Sequence, residues 1–417
     1  MTESRRVVVT GIGLVTPIGV DRESTWSALL EGRSGAGPIT HFDPSKQDVR
    51  FACEVKGFDP ELSMERKEAR RADRFVQYAM AAAQEAVEQA GVESALAELA
   101  PDRVGVIVGS GIGGLTTLEA QHIRMLERGP DRVSPFFIPM FIADMAAGLI
   151  SMRYGAQGPN YCTVSACSSS AHALGLSYRS IRSGECDVMI AGGTEATITP
   201  LCVAGFASMK ALSRRNDDPR GASRPFDRQR DGFVLGEGSG IVILESLAHA
   251  EARGATVIAE LSGFGQSADA YHITAPAPRG AGAQLAMREA LADAGAEPEE
   301  VGYINAHGTS TPANDVTETE AVKAVFGEHA YRLLVSSTKS MTGHTLGAAG
   351  GLEMAVSALV CERGVVPPTI NLEEPDPECD LDYVPGSPIS REIRCALSNS
   401  FGFGGHNVSL LLRKWRE

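Results

Sequence analysis

An internal repeat constrains the fold of this 417-residue chain more than any other feature of its sequence. Residues 85–91 and residues 289–295 each close an alanine-rich, helix-like stretch with a glycine, and an apolar, strand-like run follows each copy. Glycine is common just after the last turn of a helix, so Gly91 and Gly295 are predicted helix ends. A repeated helix–strand unit predicts two similar α/β halves that pack together.

The repeat extends to the segments with the most reactive side chains. A strand-like approach and a small-residue helix flank Cys167, and a similar arrangement flanks residues 339–344. We place the seam near residues 252–256, which divides the chain into residues 1–254 and 255–417. A pseudo-twofold relation between these halves would bring their strand-end loops face to face at the joint.

Composition excludes several classes of protein. No run of about 18 apolar residues occurs, so no membrane span is expected. The net charge of −14 disfavours nucleic acid as a partner, because phosphate binding needs a concentrated cationic surface. The first six residues lack a cationic leader with a cleavage site, so we expect no secretory signal. Eight scattered cysteines without CxxC pairs or zinc spacing predict reduced thiols in a cytoplasmic protein.

Cys167 lies where a β-branched approach gives way to small residues and then to a predicted helix. The N-terminus of a helix favours an anion and lowers the pKa of a cysteine, so we expect a reactive thiolate here. The alternative is a packed structural cysteine, because free cysteine is among the most buried residue types.

Two histidines follow predicted strands in loops rich in glycine, serine and threonine. His307 lies in residues 305–312, and His344 lies in residues 336–344. Open α/β sheets build their sites at the carboxyl ends of strands, and a cysteine with distant histidines is the expected signature of a nucleophile and its partners. The alternative is that these loop histidines simply contact solvent.

Three further segments have weaker signals. The cations of residues 66–74 form a local basic group, for which a solvated helix face of mixed charge is the alternative. The polar residues 213–232 predict an irregular surface excursion. The glycine-rich strings near residues 11 and 109 match no dinucleotide or ATP fingerprint.

Taken together, the motifs resemble the β-ketoacyl-acyl-carrier-protein synthases, the condensing enzymes of fatty acid synthesis. The likeness covers essentially the whole chain and rests on Ala-Cys-Ser at Cys167, His-Gly-Thr-Ser-Thr-Pro at His307, Thr-Lys-Ser-x-x-Gly-His from Thr338 to His344, and Ser-Asn-Ser-Phe-Gly-Phe-Gly-Gly around Phe403. The Cys-His-His set is similar to that of the elongating, second-type bacterial enzyme, since the initiating type has Cys-His-Asn.

This resemblance implies an α/β fold of the thiolase-like kind, with five αβαβα layers built from two pseudo-duplicated halves, and a homodimer. It also implies a reaction in two stages, in which acyl transfer precedes the condensation of that acyl group with malonyl-acyl-carrier protein. No cofactor is implied, because the substrates arrive on the phosphopantetheine arm of the acyl-carrier protein.

The resemblance assigns catalytic roles residue by residue. Cys167 would hold the acyl chain as a thioester, and His307 and His344 would donate hydrogen bonds to the enolate formed by decarboxylation. Lys339 would maintain the geometry and charge of the site, paired with Glu353 on the following helix. Preorganised donors of this kind stabilise developing charge.

Substrate-binding and gating positions follow from the same likeness. Phe403 matches a gating aromatic whose flanking glycines let the ring swing, although a packed core aromatic is the alternative. Thr309 and Thr311 match positions that touch the phosphopantetheine arm, with local turn bonding as the alternative. Ile112 and Phe206 match positions that line the acyl tunnel, where ordinary core packing is the alternative.

Two further sites are implied. The acidic carrier protein would dock on a basic surface formed by Lys67, Arg70, Arg71, Arg132 and Lys210. A structural cation, monovalent or divalent, would lie at Asn305, Ala306, Glu353, Ser398 and Asn399.

Three other functions remain open at this point. A polyketide ketosynthase would use the same chemistry, and the absence of fused modules favours fatty acid synthesis over it. A non-catalytic partner that sets chain length would lack the nucleophile, which this chain has at Cys167. A degradative thiolase needs a second catalytic cysteine near the C-terminus, where Cys395 lies instead in a strand-like run.

Overall fold

The structure is a computed structural model and describes residues 5–416. Residues 1–4 lie outside the described residues, so most of the segment that we expect to lack a secretory signal is not described. The apolar run at residues 7–9 opens the first strand, and this strand is buried along its whole length. Burial on both faces indicates a sheet that helices cover on each side.

The first half of the chain contains seven strands and ten α-helices within the described residues. Its strands are β1 Val7–Val15, β2 Gly37–Pro38, β3 Phe51–Ala52, β4 Val104–Gly109, β5 Asn160–Tyr161, β6 Val188–Glu195 and β7 Gly238–Ser246. Its helices are α1 Arg22–Leu30, α2 Arg66–Ala69, α3 Arg74–Ala90, α4 Glu93–Glu98, α5 Leu115–Arg128, α6 Phe137–Phe141, α7 Met145–Tyr154, α8 Ser169–Arg182, α9 Pro200–Ser208 and α10 Leu247–Ala252.

The second half repeats the main elements with fewer helices. Its strands are β8 Ala259–Ala268, β9 Tyr303–Asn305, β10 Leu334–Ser336, β11 Val365–Val366, β12 Ile389–Ser390, β13 Cys395–Gly402 and β14 His406–Lys414. Its helices are α11 Ala281–Ala294, α12 Pro312–Phe326, α13 Lys339–Thr342 and α14 Ala349–Arg363.

The order of the strands confirms the predicted duplication. Within residues 5–416, the main sheet runs β10-β9-β13-β14-β8-β1-β7-β6-β4-β5. Counted outward from the junction of β1 and β8, the strands of each half form two antiparallel pairs and then two parallel pairs. The halves join where β1 pairs with β8 over three residues, Val7, Val8 and Val9.

Helices cover and separate the two halves of this sheet. Helices α8 and α14 contact strands of both halves, whereas α3 packs on β1 and β7 and α11 packs on β8 and β14. Residues 349–361 of α14 are buried all round, as expected for a central helix. The arrangement is the predicted five-layered αβαβα architecture.

Left-handed glycines end the two repeated helices. Gly91 follows α3 with φ of 58°, and Gly295 follows α11 with φ of 57°. Each amide bonds back to a carbonyl of the last helical turn. The prediction of these two helix ends is therefore confirmed, because positive φ favours glycine at that position.

The matching of loops between the halves differs in detail from the sequence-based prediction. Ala166 before α8 has φ of 50°, and Leu346 before α14 has φ of 49°. The turn of Cys167 thus corresponds to the turn at Gly347 rather than to residues 339–344. The difference arises because α13, a short helix, interrupts what the sequence suggested to be one loop. The boundary between residues 254 and 255 lies between α10 and β8 and stays a prediction.

Residues 213–232 form the predicted irregular surface excursion only in part. The segment contains no α-helix or strand, and its first part is largely exposed, at Arg214, Asp217, Asp218 and Arg220. Its second part is buried: Arg224 and Arg230 are only 4% and 7% exposed, and Asp227 is fully buried. Arg224 pairs with Asp227 at 2.9 Å, and Arg230 pairs with Asp376 at 2.7 Å and with Asp315 at 3.4 Å. The prediction was wrong for this second part because paired charges can be buried, and the partners of Arg230 are distant in sequence.

Composition led us to expect no membrane span and reduced cysteines, and both expectations concern all of the described residues. No helix in residues 5–416 is both long and apolar enough to cross a membrane. All eight cysteines lie within this part of the chain and are free thiols.

Candidate active site

Cys167 lies in a 3-10 turn, residues 166–168, that leads directly into α8. Ala166 adopts a positive φ of 50°, which is uncommon for a residue other than glycine. The hydroxyl of Ser168 donates hydrogen bonds to the carbonyls of Ser400 and His406, so the turn is fixed against β13 and β14. The predicted position at the start of a helix is observed, although β5 ends well before it, at Tyr161.

Opposing effects act on the pKa of Cys167. Burial raises the pKa of its thiol to about 12, and Lys339 and the backbone N–H of Phe403 oppose that rise. The loss of solvation works against the favourable start of the helix, so a reactive thiolate at Cys167 stays a prediction.

Both predicted histidines lie close to Cys167. Nε2 of His344 lies 3.0 Å from Sγ of Cys167, and the rings of His307 and His344 are perpendicular with centroids 5.4 Å apart. The two carboxylate oxygens of Glu318 accept hydrogen bonds from the backbone N–H groups of His307 and Gly308. The loops after β9 and β10 thus converge on the nucleophile.

Both imidazoles are held in the neutral form. Burial lowers the pKa of His307 well below its usual value, and the charge of Lys339 adds to the effect. Burial and the Lys339 charge likewise lower the pKa of His344 well below its usual value. A neutral ring can donate a hydrogen bond from Nε2 to an enolate oxygen, so the observed state suits the role that the resemblance implied.

Lys339 and Glu353 form a buried ion pair behind the histidines. The Lys339 ammonium donates to Oε1 of Glu353, and the two residues are 1% and 2% exposed. Burial raises the pKa of Glu353 to about 7, and Lys339 opposes that rise. The pairing suggested by the resemblance is present, and it keeps one positive charge close to Cys167 and both rings.

Phe403 lies in the tight turn between β13 and β14. Gly404 and Gly405, the next two residues, have φ of 88° and 75°, which favour glycine. The backbone N–H of Phe403 lies beside the thiol of Cys167 and lowers its pKa. The turn therefore places a backbone donor beside the nucleophile, where an oxyanion would develop during acyl transfer.

A cavity of about 480 Å³ opens onto these groups. Its wall includes the nucleophile, both histidines and Phe403, together with five other residues that the sequence predicted, namely Ile112, Phe206, Lys210, Thr309 and Thr311. The hydroxyls of Thr309 and Thr311 also bond to each other at 2.9 Å. Local turn bonding and a position on the cavity wall thus coexist at these two threonines.

The predicted docking cations lie on separate elements. Lys67, Arg70, Arg71 and Arg132 are exposed around α2 and the turn after α5, whereas Lys210 follows α9 and lines the cavity. The guanidinium of Arg71 stacks 4.2 Å from the ring of Phe136, so α2 lies beside the segment that contains Arg132. The contacts of these five side chains do not bring them together into one closer group.

Some of the residues predicted to bind a cation have oxygen atoms that suit a hard ion. Within the described residues, Oδ1 of Asn305 and Oε2 of Glu353 are buried oxygens without a hydrogen-bond partner. Oxygen ligands of this kind suit hard cations. The amide of Asn399 is engaged with Ser409 and Glu318, so its side chain is not free to act as a ligand. The two other predicted positions, after β9 and in β13, are also buried: Ala306 and Ser398.

Sequence reasoning missed the carboxylates that support the site. Glu318 holds the His307 loop, and Glu195 at the end of β6 accepts hydrogen bonds from several backbone amides. Both are buried acids, and the donors to their oxygens are uncharged groups. In the sequence, these two carboxylates are indicated only by the glycines whose backbone amides donate to them.

Comparison with known proteins identifies the class. Residues 4–250 match the family model described as Beta-ketoacyl synthase, N-terminal domain, and residues 258–373 match Beta-ketoacyl synthase, C-terminal domain. The chain belongs to the β-ketoacyl synthase family.

Individual relatives cover the whole chain. It is 57% identical over 414 residues to 3-oxoacyl-[acyl-carrier-protein] synthase 2 of Synechocystis sp., with 99% of each chain covered. It is 52% identical over 412 residues to the protein of the same name from Coxiella burnetii, again with 99% of each covered. Among solved structures, the ishigamide ketosynthase/chain length factor has a TM-score of 0.93 at 38% identity, covering 99% of this chain and 100% of that one.

A second solved structure contains a partner protein. A type II PKS acyl-carrier protein in complex with its ketosynthase has a TM-score of 0.92 at 34% identity, with 99% of this chain and 100% of that chain covered. The whole described chain is thus similar in fold to a ketosynthase that binds a carrier protein.

Proposed function

We propose that this protein is an elongating 3-oxoacyl-[acyl-carrier-protein] synthase, which extends acyl chains by two carbons. The observation that carries the proposal is the approach of Nε2 of His344 to within 3.0 Å of Sγ of Cys167, at the wall of one cavity. Identities of 51–57% to full-length relatives with that activity in their names support the same reaction.

Acyl transfer is the first stage. The Cys167 sulfur attacks the thioester carbonyl of an acyl-carrier protein, the acyl group moves to Cys167, and the phosphopantetheine thiol leaves with the proton of the cysteine. Backbone N–H groups of Cys167 and Phe403 stabilise the tetrahedral oxyanion.

Condensation is the second stage. Malonyl-acyl-carrier protein loses carbon dioxide, and Nε2–H groups of His307 and His344 donate to the resulting enolate oxygen. The enolate carbon attacks the Cys167 thioester, and the cysteine sulfur leaves and takes a proton from solvent water. The product is a β-ketoacyl chain on the carrier. Each such donor is worth roughly 3–4 kcal/mol of transition-state stabilisation.

Other residues bind and gate the substrates. Phe403 closes the cavity, Thr309 and Thr311 contact the phosphopantetheine arm, and Ile112 and Phe206 line the acyl chain. We expect this reaction to need no organic cofactor. A cation held by Asn305 and Glu353 would have a structural role behind the site.

The partners follow from the same proposal. Acyl-carrier protein docks on Lys67, Arg70, Arg71, Arg132 and Lys210, and the chain forms a homodimer in the cytoplasm. Unpaired thiols support the location, and exposed apolar side chains beside the edge strand β5, such as Tyr161 and Val164, support a second copy as a partner. We expect neither nucleic acid nor a membrane as a partner.

A polyketide ketosynthase is the second candidate, because one of the similar solved structures is a type II PKS ketosynthase at 34% identity. The higher identity to 3-oxoacyl-[acyl-carrier-protein] synthases favours fatty acid elongation. A non-catalytic partner and a thiolase are disfavoured by the presence of Cys167 and by the position of Cys395 inside β13.

The experiment replaces each of the eight cysteines with alanine and measures chain extension by mass spectrometry of the carrier-bound product. Cys167→Ala is expected to abolish extension, because the acyl group then has no sulfur to hold it. Cys186→Ala is the control, since Cys186 is buried but does not line the cavity, and it should retain extension. Extension at a near-normal rate by Cys167→Ala would overturn the proposed mechanism.

A further inference from the structure

Glu195 is a buried carboxylate outside the set of residues that act on the substrate. It ends β6 and has no exposed surface. Burial raises its pKa, and the hydrogen bonds that it accepts oppose the rise. Five donors converge on its two oxygens at 2.7–3.3 Å: Ser110 Oγ and the backbone N–H groups of Gly111, Ile112, Gly113 and Gly347.

Two glycines make this convergence possible. A Cβ on Gly111 would lie 2.8 Å from Oε2 of Glu195, and a Cβ on Gly347 would lie 2.6 Å from the same oxygen. The Cβ on Gly347 would also lie 2.2 Å from the amide nitrogen of Gly111. The carboxylate therefore joins the loop after β4, residues 110–113, to the turn that begins α14 in the second half.

The loop of residues 110–113 forms part of the acyl cavity. Gly111 and Ile112 line it beside Ala166 and Cys167. Ile112 is 37% exposed and lies outside the buried hydrophobic clusters of residues 5–416, so its position depends on its backbone. The backbone N–H of Ile112 donates directly to Oε1 of Glu195 at 3.2 Å.

We propose that Glu195 is a positioning residue that fixes Ile112 on the cavity wall and thereby sets which acyl chain lengths Cys167 accepts. The inference rests on the proposed function. Loss of the carboxylate frees the loop, lets Ile112 withdraw, and favours longer chains. A residue that only stabilised the fold would lower the loading of all chains by the same factor.

The test measures acylation of Cys167 by hexanoyl and tetradecanoyl pantetheine thioesters, using intact-protein mass spectrometry of wild type, Glu195→Gln and Ile112→Ala. Both variants are expected to raise the ratio of long-chain to short-chain loading by about fivefold or more. The loading ratio of the double variant should differ from that of Ile112→Ala alone by less than about twofold. Both substitutions act through the Ile112 side chain, so their effects should not add.

Glu245→Gln is the matched control, since Glu245 is also a buried acid with several donors but does not line the cavity. It should leave the ratio unchanged. If Glu195→Gln does not fold, Ser110→Ala removes one donor and should shift the ratio in the same direction. Equal loss of loading with both chains would overturn the inference, whereas failure of the wild type to be acylated at all would overturn the proposed function instead.

Discussion

At the scale of single residues, the two neutral histidines determine how the site responds to substitution. We expect His307→Ala and His344→Ala each to lower kcat for malonyl decarboxylation about 100-fold while KM changes little, because donors to developing charge act mainly in the transition state. Steady-state kinetics with malonyl-carrier protein would measure this. An increase in KM with kcat intact would contradict the enolate role.

The Lys339–Glu353 pair predicts a stability effect. Glu353→Gln leaves a buried ammonium without its counter-charge, so the free energy of unfolding should fall by about 3–5 kcal/mol. The double variant Lys339→Met with Glu353→Leu should lose much less, because neither charge is then buried alone. Urea unfolding would compare the two, and equal losses would argue against an ion pair.

At the scale of elements, the contact between α8 and the second half is close. A Cβ on Gly175 of α8 would lie 2.3 Å from the ring of Phe264 in β8. Gly175→Ala is therefore expected to lower the free energy of unfolding by about 1–3 kcal/mol, the usual range for overpacking. Thermal unfolding monitored by circular dichroism would measure the loss.

Gly205 in α9 provides the matched control. Nothing lies within 4 Å of a Cβ built at that position, and its backbone is helical. Gly205→Ala should raise stability by about 0.5–1 kcal/mol, because alanine is the better helix former. A similar loss in both variants would show that the Phe264 contact is not the cause.

Elements also show what the sequence could and could not predict. Gly91 and Gly295 were found because a glycine after a helix is a local signal. The burial that raises the pKa of Cys167 comes from tertiary packing, which no local pattern predicts. The burial of Arg230 was missed because its partners lie far along the chain. The architecture of the site could be predicted from motifs, whereas its supporting carboxylate Glu195 could not, because its donors come from two distant loops.

At the scale of the whole molecule, Glu245 links the strands and the helix near the joint between halves. Burial would raise its pKa, but hydrogen bonds from Arg253, His249 and Thr10 outweigh burial and lower the pKa to about 2. A lowered pKa stabilises the fold above pH 4.5, and the contribution is lost as the pH falls towards 2. The contribution is about 3 kcal/mol.

Glu245→Gln should therefore reduce the free energy of unfolding at pH 7, and the difference from wild type should shrink as the pH falls below 4.5. Urea unfolding at a series of pH values would measure this difference. A difference that stays constant down to about pH 3 would show that the carboxylate charge is not involved.

Carrier-protein docking is also a property of the whole surface. Because the chain has a net charge of −14, a local cationic patch is needed to attract an acidic partner. Lys67→Glu with Arg71→Glu should weaken the use of carrier-bound substrate, most strongly at low salt. Turnover of a small pantetheine thioester is the control and should hardly change. An equal loss of turnover with both substrates would contradict a role of these residues in docking.

The pairing of β1 with β7 and β8 has a consequence for biosynthesis. The first strand emerges from the ribosome early, but its partners begin at Gly238 and Ala259. At ordinary translation rates, β1 waits roughly 12 to 48 s for the first of them. During that interval, β1 has no sheet partner, and its apolar residues can be covered only by elements made earlier, such as α3, which packs on β1 in the finished fold.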